Sequence, residues 1–94
     1  MLKGKTKSGI NFEIDERIKD DTRFLQYVVE LQNEDDDLLR QKALYDLLGL
    51  VFGGRKGVIA FQNTVASVND GCCTSEVLLK ELNEIFEALN VKKS

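Results

Sequence analysis

The period of the apolar pattern changes once, early in the chain, and that change limits the folds available to it. From Ile10 to Ile14 the sequence alternates: Ile10, Phe12 and Ile14 share one face, and Asn11 and Glu13 the other. After an acidic hinge, Asp15 to Asp21, the spacing becomes helical, with Phe24, Tyr27, Val28 and Leu31 on one side. Leu2–Thr6 is a second extended run, and Lys7-Ser8-Gly9 between the two is a polar turn with glycine. Together these residues predict a β-hairpin over 2–14. An isolated hairpin is marginal in water, so its apolar face must borrow a helical surface. Phe24 and Leu25 are expected to supply it.

Everything after the hinge reads as helix. Asp20 or Asp21 can cap the first helix, which runs to Leu31. Asn33-Glu34-Asp35-Asp36-Asp37 breaks the pattern, and a second helix is predicted from Asp37 to Phe52. Its inner face is Leu44, Leu47, Leu48 and Val51; Leu38 and Leu39 lead into it, and Tyr45 flanks it. Gly53-Gly54 ends it, since glycine accepts the left-handed closing conformation. A third helix is predicted from Lys56 to Val68, with the stripe Val58, Phe61, Val65 and Val68; its β-branched residues leave a strand as the alternative. Asn69-Asp70-Gly71 is a turn. Thr74 or Ser75 caps the last helix, with Glu76 in its first turn. Leu78, Leu82, Ile85, Phe86 and Leu89 form its apolar face, and Lys80, Glu81, Asn83, Glu84 and Glu87 its wet face. The expected fold is therefore mainly α, about four short helices with a small N-terminal β-hairpin, α+β at the margin. A single domain spans 1–94, its helical part covers 20–90, and residues 91–94 form a frayed tail.

Composition excludes more than it assigns. The chain carries 13 Lys and Arg against 16 Asp and Glu, a net charge of −3, which argues against a nucleic-acid surface. Its basic clusters, Lys3-Lys5-Lys7, Arg55-Lys56 and Lys92-Lys93, are short and belong to ends and loops. No apolar run reaches the roughly 18–20 residues that cross a bilayer, so no membrane partner is expected. The N-terminus lacks the apolar core of a secretion signal, so the cytoplasm is the expected compartment.

Chemical motifs are missing or incomplete. With no histidine, the commonest general base and metal ligand is absent. Cys72 and Cys73 are neighbours, expected as reduced thiols, and too few for a four-ligand zinc site. Cys73 lies near a helix N-terminus, a position that can acidify a thiol, but a packing role is the simpler reading. Counted from Asp35, a calcium loop would need glycine at its sixth position, where Arg40 stands. The glycines between Gly49 and Gly57 lack the Lys-Ser or Lys-Thr pair of a phosphate loop. No catalytic residue, metal ligand or cofactor is therefore expected, and an enzyme is the weakest reading. What remains is apolar surface. Four helical stripes and a hairpin face exceed one small core, and such surplus marks a partner site. Tyr45, Phe52 and Leu79 are the candidate partner-binding residues, with self-association a further use of such a surface.

The opening Lys5-Thr6-Lys7-Ser8-Gly9, the pair Phe24-Leu25, the run Leu44 to Gly49 and the closing helix Thr74 to Leu89 with Ile85-Phe86 carry a family resemblance. In order and spacing the chain resembles small tail assembly chaperones of long-tailed phages and prophages of Gram-positive bacteria. Gly53-Gly54-Arg55-Lys56-Gly57 and Cys72-Cys73 depart from that pattern. The resemblance implies a non-enzymatic protein that binds the phage tape measure protein and keeps it soluble until tail tube subunits polymerise around it. It implies residence in the bacterial host cytoplasm and absence from the mature virion. Two other classes compete with it: a small virion connector or tail-completion protein, and a regulatory adaptor that binds a host protein.

Overall fold

The computed structural model describes residues 1–89. It has two strands, β1 (Leu2–Lys5) and β2 (Asn11–Ile14), and four helices, α1 (Thr22–Leu31), α2 (Asp37–Phe52), α3 (Arg55–Ser67) and α4 (Ser75–Ala88). The mainly α fold with an N-terminal hairpin is as expected from the sequence. The frayed tail expected over 91–94 lies outside the described residues.

The hairpin is antiparallel, with Leu2 opposite Ile14 and Lys5 opposite Asn11. Its turn closes where the glycine predicts. The Gly9 amide donates to the Thr6 carbonyl at 3.0 Å, and Gly9 sits at φ 95°, a left-handed value that favours glycine. Thr6 and Ile10 fall just outside the strands but still bond, Thr6 N donating to Ile10 O at 2.9 Å. Ile10, Phe12 and Ile14 are buried, as their alternation requires. The Phe12 ring lies across Gly4 on the facing strand, where a Cβ would stand 2.5 Å from its tip.

The acidic hinge is more ordered than its sequence suggested. Glu16–Asp20 is a short 3-10 helix, which the sequence analysis did not anticipate. Asp15 starts it and Asp21 starts α1 by the same device. Each carboxylate accepts the backbone amide two residues on and pairs with the guanidinium of that residue, Arg17 or Arg23. The arginine hydrogen bonds lower both aspartates from the ordinary carboxylate range to about 2. Two other starts are capped by a side chain, Asp36 accepting from Leu39 N and Thr74 from Val77 N, whereas α3 starts at Gly54 without one. Gly53, at φ 82°, closes α2, and Gly54 N donates back to Gly49 O at 2.7 Å.

The buried residues form one cluster drawn from β2 and all four helices. Phe24 and Phe86 meet edge to face with centroids 5.3 Å apart, joining α1 to α4. The hairpin turn is tied to the other end of the chain, where Lys7 N donates to Glu84 Oε1 at 2.9 Å.

Three expectations are corrected. Leu25 is 49% exposed and supplies no core surface; Phe24 alone of that pair is buried. The two are adjacent on a helix, about 100° apart, so only one of them can face the core squarely. Val68 is 44% exposed, because α3 stops at Ser67 and the chain turns away there. Glu81, assigned above to the wet face of α4, is buried at 1% exposure. It stands three residues after Leu78 and four before Ile85, both buried, so helical spacing places it on their face. The segment 55–67 is helix, which resolves the strand alternative.

Candidate functional site

The three candidate residues do not form one site. Leu79 packs half-buried against the core at the end of the molecule where α1 finishes and α2 and α4 begin. There it lines a hollow of about 190 Å³ together with Leu31, Leu44, Arg40, Asp37 and Ser75. Leu31, Leu44 and Leu79 make its apolar floor. Arg40 closes one rim: its Nε donates to the Leu31 carbonyl at 3.3 Å, and its guanidinium lies 3.7 Å from Asp37. Leu79 also borders the open trough along α4 that carries Glu76, Glu84 and Glu87.

Phe52 ends α2 on a different side. Its ring stacks on Phe61 with centroids 4.3 Å apart and planes 18° from parallel. With Ile10, Phe12 and Ala60 it lines a shallow hollow between the hairpin and α3. Tyr45 points outward from the middle of α2 and is 52% exposed. Leu38, the second residue of α2, is 79% exposed, and no sequence signal singled it out as a surface residue. Heptad spacing from Tyr45 would have found it.

Polar chemistry is sparse. Among the described residues no group of three or more Cys, Asp or Glu stands close enough to hold a metal ion. The cysteines are free: Cys72 is exposed, and Cys73 packs against the core. Burial, with a smaller contribution from Cys72, pushes the Cys73 thiol up, away from the acidic thiolate that a nucleophile needs. The packing role is the one that fits. No helix among the described residues is long and apolar enough to cross a membrane.

Two carboxylate oxygens are the exception. Oε2 of Glu81 and Oε2 of Glu84 are buried without a hydrogen-bond partner. Glu84 is offset by its other oxygen, which accepts the Lys7 amide. Glu81 has no such compensation, and an unpaired buried polar group is costly. Glu81→Met keeps the volume and removes the carboxylate. It should stabilise the protein by about 1–3 kcal/mol, read as a higher urea midpoint at unchanged slope. A lower midpoint would mean that Glu81 is held by a bond that the substitution breaks.

Compared with protein-family models, curated proteins and solved structures, the chain gives no match.

Proposed function

We propose that this protein is a non-enzymatic phage tail assembly chaperone, which binds the tape measure protein in the host cytoplasm and keeps it soluble during tail morphogenesis. The family resemblance of the hairpin opening and the closing helix supports this reading. The observation that carries it is the hollow around Leu79, an apolar floor left uncovered on an acidic helical protein. An amphipathic client helix laid there would place one or two apolar anchors against Leu31, Leu44 and Leu79, with Arg40 and Asp37 meeting its polar flank. Each contact of this size is weak. Many copies along a long helical client would hold it by avidity and still be displaced by tube subunits.

Co-expression with a phage tape measure protein tests this. The expected result is a several-fold rise in soluble client and its co-purification, both lost with Leu79→Asp. No rise and no co-purification would overturn the proposal. Recovery of the chain at stoichiometric level in purified particles would favour a virion component instead.

A further inference from the structure

Both edges of the hairpin are free. Thr6 N donates to Ile10 O at 2.9 Å, so in the antiparallel ladder Gly4 and Phe12 are the next hydrogen-bonded pair, and Leu2 and Ile14 the one after. The residues between them, Lys3 and Lys5 on β1 and Asn11 and Glu13 on β2, therefore turn amide and carbonyl outward. Among the described residues no group bonds them there. The β2 edge looks onto α3 across the hollow that Phe12, Ala60 and Phe61 line. The β1 edge carries charge. Lys3 and Lys5 lie two residues apart, so their side chains share the outer face. Both are exposed, and neither is in an ion pair among the described residues. Glu13 faces Lys3 in the register without pairing with it, and Lys5 faces Asn11. Between the two lysines Gly4 has no side chain. The tip of the Phe12 ring takes that place, 2.5 Å from where a Cβ would stand, and so reaches across β1 on the inner face.

We propose that the β1 edge takes an extended acidic segment of a partner protein as a third strand. The unpaired backbone groups select the conformation, because an extended main chain meets donors and acceptors at this two-residue spacing. The lysines select the charge. In an antiparallel pair the residues directly opposite Lys3 and Lys5 exchange main-chain bonds with them, and their side chains stand on the same outer face. Acidic residues there pair with both lysines. The residue between them points inward at the tip of the Phe12 ring and is apolar. The segment therefore reads acidic, apolar, acidic. Lysines on an edge strand repel strands that lack a countercharge, which is one way edges are kept single. Here that repulsion works against a second copy. Its β1 would set lysine against lysine, and its β2 edge, overlooked by α3, offers one carboxylate. The chain's own acidic run over residues 34–37 is turn and helix start, not strand. The β1 edge shares no residue with the Leu79 hollow, so the two surfaces act independently.

The probe is a fluorescein-labelled octapeptide that alternates glutamate and valine, titrated with the purified chain to about 1 mM and read by fluorescence anisotropy. Main-chain bonds and exposed ion pairs are each weak, and a dissociation constant on the order of 100 µM is expected. A peptide alternating lysine and valine should bind at least about tenfold more weakly. So should the glutamate peptide methylated at its glutamate amides, which keeps every charge and removes the main-chain donors. The double substitution Lys3→Glu and Lys5→Glu, at exposed positions, should stay folded by circular dichroism and invert the preference between the two peptides. In the parent chain, hydrogen exchange at the Lys3 and Lys5 amides, followed by nuclear magnetic resonance, should slow several-fold with the peptide in excess. No binding overturns the proposal, as does equal binding of the methylated peptide, or slowed exchange at Asn11 and Glu13 in place of Lys3 and Lys5. An oligothymidylate of equal charge that displaces the probe as well as unlabelled peptide does would show a general anion patch and overturn it too. Because no client is present, a negative result leaves the chaperone reading standing, and loss of client binding leaves the β1 edge standing.

Discussion

Replacing Leu82 by Asp is expected to leave the protein without a cooperative unfolding transition, while Tyr45→Asp keeps the helical spectrum of the parent. The difference is one of surroundings. Leu82 is fully buried on the face of α4 that packs into the common cluster, and Phe86 one turn on meets Phe24 edge to face. Truncating a buried leucine costs about 2–5 kcal/mol, and an unpaired carboxylate in its place adds desolvation to that. A domain of this size has on the order of 5–14 kcal/mol in total. The variant should therefore be largely unfolded at room temperature, as Phe86→Asp should be. Tyr45 has about half of its surface in water, so its replacement removes little burial. Far-UV circular dichroism with a urea titration reads both. An unfolded Tyr45→Asp would show that the outer side of α2 holds the fold together and is no docking surface.

The second large effect concerns two helical glycines for which the same substitution should act with opposite sign. Gly57 lies in the first turn of α3, directly over the end of α2, and a Cβ there would collide with the carbonyl oxygen of Phe52. Backbone cannot rotate aside as a side chain can. Gly57→Ala must therefore lever α3 away from α2 and disturb the stack of Phe52 on Phe61. A loss of about 2–4 kcal/mol is expected, in the range for forced overpacking. Gly49→Ala meets no neighbour and gains the helix propensity of alanine, about 1 kcal/mol. Urea midpoints measured side by side at low protein concentration should bracket the parent. A stabilised Gly57→Ala would show that the α2–α3 corner has slack.

Much of this architecture is legible in the residues, for reasons that can be named. Period two over Ile10–Ile14, the capping aspartates and threonine, and the glycine pair after Phe52 are local signals, and each is read by its immediate neighbours. The failures lie where an outcome depends on what a second element covers. Leu25 was expected to back the hairpin and Val68 to extend a stripe, yet about half of each lies in water, and Glu81 has a charged head on a buried face. For Glu81 the spacing from Leu78 and Ile85 was a better guide than residue type. The repeated Asp-x-Arg at 15–17 and 21–23 could have announced the short helix in the hinge. The partner residues were the least legible. Tyr45, Phe52 and Leu79 were chosen as flanking apolar residues, and the fold sends them to three different sides. Leu79 and Phe52 line separate hollows, and Tyr45 stands in the open.

The bond from the Lys7 amide to Glu84 spans 77 residues. During synthesis it sets the order of events. The hairpin is made first, yet its turn has no anchor until Glu84 has been added, about 4–15 s later at the usual 5–20 residues per second. During that interval Ile10, Phe12 and Ile14 can be covered only by residues already made, Phe52 and Phe61 among them, and not by the closing helix. The segment that looks like the beginning of the fold is thus among the last to be secured, and the closing helix is what secures it.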